Sequence, residues 1–146
     1  MQIFGKEANQ ILPMNMQEVK ANLHKNHVVI CGALRYADNS TTDSTAAHLA
    51  NFLRTPLINI TNVNGLYSAN PLTHKNTKFI PSSSWKNFEK RAHRIKYHAG
   101  QHFVLDQQAS TLIRKHRTKT YIIGKNLNNL NNILNHKPFL GTVIEG

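Results

Sequence analysis

Thr61, Asn62 and Tyr67 offer a hydroxyl, an amide and a phenol ring over a short stretch, a set of groups that can bind a polar ligand. The stretch from residue 57 to residue 71 begins as an Ile-rich apolar run and ends in Asn, Gly and Pro, which favour turns. This pattern predicts a buried strand whose carboxyl end opens into a loop, the place where open α/β sheets bind ligands. Gly65 permits close approach of a ligand to the backbone. The alternative interpretation is that the strand ends in an ordinary turn that binds no ligand.

A second polar cluster, Thr41-Thr42-Asp43, follows a predicted strand and a loop and stands at the amino end of a predicted helix. Free amides and the positive end of the helix dipole attract anions at such a position, so the cluster predicts an anion pocket. The alternative is an ordinary N-cap, which contributes about 1 kcal/mol. Asp106 begins another predicted helix, where an N-cap is again one interpretation.

The elements that must position these residues follow from apolar periodicity and from turn formers. Helices are predicted over residues 14–26, 44–54, 85–98 (capped by the serines 82–84), 107–115 and 126–135. Strands are predicted over residues 27–31, from 57 onward, and over 78–81, 119–124 and 141–145, while residues 101–105 fit either a strand or a loop. The alternation predicts an α/β fold with a mostly parallel sheet and helices on both faces, in one domain over residues 1–146.

The charge balance is strongly basic, with 18 Lys and Arg against 7 Asp and Glu and a formal net charge of +11. Such a charge attracts nucleotides or nucleic acid, but no RNA-binding motif interleaves the basic residues with aromatics. No apolar run approaches the roughly 20 residues that span a bilayer, and the first residues lack a signal-peptide core. The single Cys31 forms no intrachain disulfide. Together these features predict a cytoplasmic protein without membrane association.

His93, His98 and His102 could suggest a metal site, because His98 and His102 are four residues apart. No Asp or Glu nearby completes a ligand set, and Gly100 is expected to end the helix between them. We therefore predict no metal bound directly by the protein. The chain also contains neither a Gly-x-Ser-x-Gly motif nor a Walker phosphate loop.

Residues 61–71, Thr-Asn-Val-Asn-Gly-Leu-Tyr-Ser-Ala-Asn-Pro, resemble the ATP-binding loop of the amino acid kinase family. The loop looks most like that of the archaeal-type UMP (uridylate) kinases, whose usual form is Thr-Asn-Val-Asp-Gly-Val-Tyr-x-x-Asp-Pro. Asn64 and Asn70 stand where that form has Asp, so two carboxylates are missing from the loop. The resemblance implies that ATP is contacted by Thr61, Asn62, Tyr67 and Asn70.

The segment from Gly32 to Asp43 also resembles these kinases, which carry Gly-Gly, a short loop and Thr-Thr-Asp before an Ala-rich helix. Here Ala33 replaces the second Gly, and the loop is longer and lacks Gly. Arg35 within it adds a guanidinium that can bind phosphate. The resemblance implies that UMP is contacted by Gly32, Leu34, Arg35, Thr41 and Thr42.

The resemblance implies a catalytic role for two carboxylates, Asp43 and Asp106. In the family, the carboxylate matching Asp43 orients lysines that steady the transferring phosphoryl group. Asp106 begins a segment similar to the family's Asp-Pro-Leu-Ala-Ala, which lies at the active-site cleft. Phosphoryl transfer depends on positioning and charge neutralisation, which such groups can support. The implied cofactors are ATP and the Mg²⁺ that accompanies it.

The resemblance covers nearly the whole chain but only the carboxyl half of the family. The Gly-Gly and Gly-Gly-Gly loops of the family's amino half do not occur here. The resemblance thus implies the ATP- and UMP-binding half of an enzyme of pyrimidine biosynthesis that makes ADP and UDP. We expect the isolated chain to be inactive, a separate amino-half chain to complete it, and an oligomer, since the family is often hexameric. The alternatives are a catalytically degenerate nucleotide-binding protein, a basic nucleic-acid-binding module, or a family member acting on a carboxylate or carbamate.

Overall fold

The computed structural model describes residues 3–32, 34, 40–94 and 104–146. Helices and short strands alternate along this part of the chain, after a 3-10 turn at Gly5–Glu7. The helices are α1 (Met16–Leu23), α2 (Thr42–Leu53), α3 (Trp85–Arg94), α4 (Gln107–His116) and α5 (Leu127–Leu134). The strands are β1 (Leu57–Thr61), β2 (Leu66–Tyr67), β3 (Phe79–Ile80), β4 (Ser82–Ser83), β5 (Thr120–Gly124) and β6 (Gly141–Ile144).

The main sheet has four strands in the order β1-β5-β6-β4, and β2 pairs with β3 in a separate antiparallel ribbon. Strand β1 runs parallel to β5, and β4 runs parallel to β6, whereas β5 and β6 are antiparallel. The sheet is therefore mixed but mostly parallel, as predicted. Because β1 and β5 are parallel, their carboxyl ends, Thr61 and Gly124, lie side by side.

One face of the sheet packs against α2, α3 and α4. Ile122 and Ile144 of the sheet share a buried cluster with Ala47, Phe88 and Ile113, one residue from each of these helices. The next residue along β5, Ile123, points to the opposite face because side chains alternate along a strand, and it is also fully buried. Helix α5 contacts β5 and lies outside that cluster, so helices cover both faces.

The helices begin where the sequence supplies capping side chains. Thr41 and Ser44 form a capping box at the start of α2, and the Asp106 side chain accepts a hydrogen bond from the Ala109 amide at the start of α4. Helices α2 and α4 both end on an arginine in the left-handed conformation, Arg54 with φ of 56° and Arg117 with φ of 52°. In the described part of the chain, no helix is long and apolar enough to cross a bilayer.

The predicted strand over residues 27–31 is wrong. Only Val28 forms a bridge there, parallel to Ala8, and the segment does not join the main sheet. The side chain of Asn9 replaces further pairing, because it accepts from the Ile30 amide at 2.7 Å and donates to the Ile30 carbonyl at 2.9 Å. Cys31 is half-buried, and burial raises the pKa of its thiol.

The other predicted elements are present with shifted ends, and the two-residue strands β2 and β4 were not predicted. The predicted cap at the serines is confirmed, since Ser84 Oγ accepts from the Asn87 amide at 3.3 Å. Residues 95–98 of the predicted third helix and residues 101–103 lie outside the described residues.

Candidate functional site

The loop that follows β1 passes over the carboxyl end of β5 and the start of β6. A Cβ atom on Gly124 would lie 2.6 Å from Asn64 Oδ1, and one on Gly65 would lie 2.7 Å from Thr142 Oγ1. Thr142 Oγ1 also accepts from the Leu66 amide at 2.7 Å and donates to the Ile80 carbonyl at 2.6 Å. The two glycines thus allow the loop to approach the ends of β5 and β6 closely, and the buried Thr142 fixes it there by hydrogen bonds.

The candidate ATP-contacting side chains differ in how free they are to meet a ligand. Thr61 is half-buried at the end of β1, and Asn62 beside it is exposed. The half-buried Tyr67 ring packs edge-on against Phe79, with ring centroids 5.3 Å apart. Asn70 accepts from the Leu72 amide at 2.9 Å, so its side chain closes a local turn. A ligand at this loop would therefore meet Thr61 and Asn62 most directly.

The second cluster forms where the amino ends of α2 and α4 meet. The hydroxyl of Thr41 donates a hydrogen bond to the carboxylate of Asp106, although the two residues are far apart in sequence. The same Thr41 hydroxyl accepts from the Ser44 amide at 3.0 Å, which caps α2. Asp43 lies in the first turn of α2 and is half-buried. The structure thus brings Thr41, Asp43 and Asp106 together, and Thr41 and Asp106 are also N-caps.

The two carboxylates of this cluster, Asp43 and Asp106, lie close enough for the charge of Asp106 to affect Asp43. Burial, and secondly the negative charge of Asp106, raise the pKa of Asp43, while a hydrogen bond from the Asp106 backbone amide partly lowers it. A carboxylate near another carboxylate and away from water is less stable when ionised. A cation or a cationic side chain placed between Asp43 and Asp106 would relieve this repulsion.

A hydrogen bond links this cluster to the strand that leads into the loop. Asn59, on β1, donates from its side chain to the Val104 carbonyl at 2.5 Å. Asp106 follows Val104 closely in the chain, and Thr61 follows Asn59. The amino ends of α2 and α4 and the carboxyl end of β1 therefore lie along the same edge of the sheet.

The remaining candidate residues are placed less completely. Thr42 is exposed in the first turn of α2, and Gly32 is exposed in the segment that precedes it. Leu34 is buried and adopts φ of 56°, which is uncommon for a residue with a side chain. Arg35 lies outside the described residues, so the structure does not place this proposed phosphate ligand.

Of the histidines that could suggest a metal site, His93 contacts Thr111 Oγ1 at 3.0 Å through Nε2. His98 and His102 lie outside the described residues. Within residues 3–32, 34, 40–94 and 104–146, no three His, Cys, Asp or Glu side chains are grouped to hold a metal ion.

Three residues that support the site were not singled out from the sequence: Asn59, Thr142 and Arg91. The Arg91 guanidinium donates to the Tyr67 carbonyl at 3.0 Å, so α3 helps to hold the loop. Asn59 interrupts an otherwise apolar strand, which is a signal that could have indicated a buried hydrogen bond. Nothing in the sequence alone marks Thr142 or Arg91, because each acts on a segment distant in the chain.

Comparison with known proteins agrees with this architecture. A model of the amino acid kinase family matches residues 2–124. The uridylate kinase of Thermoplasma volcanium is 30% identical over 141 residues, which are 96% of this chain and 61% of that protein. The uridylate kinase of Methanococcus aeolicus is 29% identical, over 91% of this chain and 58% of that protein.

A solved structure gives the same result. The crystal structure of the uridylate kinase from Archaeoglobus fulgidus superposes with a TM-score of 0.81 at 29% identity, over 94% of this chain and 61% of that one. The chain therefore spans about three fifths of the length of the relatives that it matches. The family match over residues 2–124 and the shared fold confirm the relationship inferred from the two loops, and the chain belongs to the amino acid kinase family.

Proposed function

We propose that this chain is the nucleotide-binding part of a UMP kinase-like phosphotransferase, one domain that binds ATP at the loop after β1 and UMP near the start of α2. The observation that carries the proposal is that the two groups of residues lie at the same end of the sheet, where β1 has its carboxyl end. Thr41, Asp43 and Asp106 meet there, and the Asn59 bond to Val104 connects them to the strand that ends at Thr61. Two ligands at these places would lie at the same end of the sheet, an arrangement that transfer of a phosphoryl group between them requires.

The chemistry of the two carboxylates fits a nucleotide that carries Mg²⁺. The raised pKa of Asp43 reflects burial and the negative charge of Asp106, so a divalent cation nearby would stabilise both groups in the ionised form. When bound, Mg²⁺ would neutralise phosphate charge. In this proposal Asp43 and Asp106 face that cation, and Thr61 and Asn62 contact ATP.

Calorimetry of the whole chain with ATP in the presence of Mg²⁺, and separately with UMP, tests this proposal. Thr61→Val removes the hydroxyl at the carboxyl end of β1, and we expect it to weaken ATP binding by about tenfold if one hydrogen bond is lost to a charged ligand. Thr55→Val is the matched control, because Thr55 is exposed just before the opposite end of β1. Equal affinities of both variants for ATP would contradict the proposed site.

We also propose that a second chain bearing the rest of the fold completes the enzyme, and that its docking includes the outer edge of β1. Leu57 donates its amide at 2.9 Å to the carbonyl of Lys119, the residue before β5, so the backbone groups of Ile58 and Ile60 point away from β5. No strand of the main sheet pairs with that edge in the described part of the chain, and the Ile60 side chain is 46% exposed. An open edge with an exposed apolar side chain favours an added strand.

In this proposal the isolated chain binds nucleotides but does not transfer phosphate, and the active form is an oligomer that includes the second chain. Mixing the chain with the remaining part of the Archaeoglobus fulgidus relative should restore conversion of UMP to UDP, measured by release of ADP. Absence of activity in that mixture, with nucleotide binding intact, would favour a catalytically degenerate protein. Asn64 and Asn70 fit that outcome, because both stand where the resembled loop has Asp. The Asn70 side chain is in addition occupied in a local turn.

The net charge of +11 supports a second candidate, a nucleic-acid-binding module. Such a module would bind RNA or DNA with a steep salt dependence. ATP and UMP would not compete with the nucleic acid if this were its main function. A screen of acceptors that includes carboxylates and carbamate separates UMP kinase activity from the other activities considered.

A further inference from the structure

A cleft of about 620 Å³ lies between α3 and β4, the edge strand on the opposite side of the sheet from β1. Three basic side chains of α3 line it: Lys90, Arg91 and Arg94. The residues that line it do not belong to the loop after β1 or to the carboxylate cluster, and Arg91 connects the cleft to that loop by donating to the Tyr67 carbonyl.

The charges that line this cleft are unbalanced. Its one carboxylate, Glu145, forms an ion pair with Lys119 at 2.7 Å, and Lys119 does not line the cleft. Among the described residues, Lys90, Arg91 and Arg94 form no ion pair with a carboxylate. The cleft therefore presents three cations against one carboxylate that is already neutralised.

Neutral hydrogen-bond donors lie next to these cations. Ser82, Ser83 and Ser84 line the same cleft. Ser82 is exposed, and the bond that Ser83 Oγ donates to the Ser84 carbonyl is long, at 3.3 Å, so both hydroxyls are available to a ligand. Hydroxyls beside guanidinium and ammonium groups are donors that phosphate oxygens accept from readily.

Arg91, which lines this cleft, is held in place by a hydrogen bond. Its Nη2 donates to the Tyr67 carbonyl at 3.0 Å, which restrains the guanidinium, and its buried Nε has no acceptor among the described residues. A restrained guanidinium loses less conformational entropy when it meets an anion.

We propose that this cleft is a phosphate-binding site, which takes either a free polyphosphate chain or the backbone of a single-stranded nucleic acid. The three cations and the serine hydroxyls bind phosphate oxygens in both cases. The proposal does not rest on ATP binding by the loop after β1, although Arg91 also contacts that loop through the Tyr67 carbonyl.

The test compares two double variants of the full chain with equal loss of charge. K90A/R94A removes two exposed cations from the cleft, and K25A/K137A removes two exposed lysines elsewhere. The probes are a fluorescein-labelled oligouridylate and inorganic tripolyphosphate, each titrated over a range of salt concentrations. Circular dichroism and thermal unfolding check that both variants are folded.

We expect K90A/R94A to weaken binding about tenfold, and K25A/K137A to weaken it no more than about twofold. For the oligouridylate, the slope of log K against log salt should fall in magnitude by about 1.4, since each phosphate contact on a single strand contributes about 0.7. Selective loss of oligouridylate binding would identify nucleic acid as the source of phosphate, and selective loss of tripolyphosphate binding would identify free polyphosphate. Equal weakening in both variants, or no binding of either probe, would overturn the proposal.

Amide chemical shifts of the unmodified chain give a second measurement that needs no variant. Tripolyphosphate should shift the amides of residues 82–94, whether or not it also shifts those of the nucleotide site at residues 41–67. Shifts confined to residues 41–67 would place the anion at the nucleotide site and would also overturn the proposal.

Discussion

Replacing Gly65 by Ala should destabilise the chain and displace the loop that follows β1. The added Cβ atom would lie 2.7 Å from Thr142 Oγ1, 2.9 Å from Phe79 Cε2 and 3.1 Å from the Thr142 backbone nitrogen. Neither Thr142 atom can move easily, because the hydroxyl already joins the Leu66 amide to the Ile80 carbonyl. Residue 65 also has φ of 155°, which side-chain-bearing residues rarely adopt.

The backbone strain contributes roughly 1–3 kcal/mol, and the overpacking contributes a similar amount. Partial relaxation of the loop reduces the sum, so we expect a loss of about 3 kcal/mol in the free energy of unfolding. For a chain of this size, that loss lowers Tm by about 10 °C.

Urea and thermal unfolding followed by circular dichroism measure this change. Gly32→Ala is the matched control, because a Cβ there meets nothing within 4 Å and the φ of Gly32 lies outside the range that side-chain-bearing residues rarely adopt. That variant should change the free energy of unfolding by no more than about 0.5 kcal/mol. A Gly65→Ala variant as stable as the control would refute the proposed packing of the loop against β6.

Three further outcomes are expected. Asp106→Asn should lower the pKa of Asp43 towards its ordinary value, measured by NMR titration, because a negative charge that raises it is removed; an unchanged pKa would show that burial alone raises it. Arg117→Gly should raise the urea midpoint by the equivalent of about 0.5–1 kcal/mol, because glycine adopts φ of 52° without strain, and a lower midpoint would contradict this. Burial, with help from the charge of His116, lowers the pKa of His48, so the unfolded state binds its proton more readily. Stability should therefore fall as the pH drops through about 6.5, and less so in His48→Gln; equal falls would contradict the assignment.

The sequence predicts the fold well where local signals are strong. Asp106 and Thr41 combine capping side chains with apolar periodicity, and the helices that follow them begin within a few residues of their predicted starts. The apolar run at Leu57–Thr61 likewise forms the predicted strand. These elements need little information from distant parts of the chain.

Features that depend on distant contacts were predicted less well. The run around Val28 has a strand composition, but its pairing is limited to Ala8 because Asn9 binds the Ile30 backbone with its side chain. The hydrogen bond between Thr41 and Asp106 could not be derived from spacing, since it depends on how α2 packs on α4. Resemblance to a family pointed to both residues as parts of one site, and the structure brings them together.

The central claim is that the loop after β1 and the amino end of α2 face one cleft, and Mn²⁺ used in place of Mg²⁺ tests it most directly. With ATP and substoichiometric Mn²⁺, the paramagnetic ion should broaden the amide signals of Thr61–Tyr67 together with those of Thr41–Asp43 and Asp106. Broadening of one segment without the other, in a sample that binds ATP, would contradict a shared nucleotide cleft.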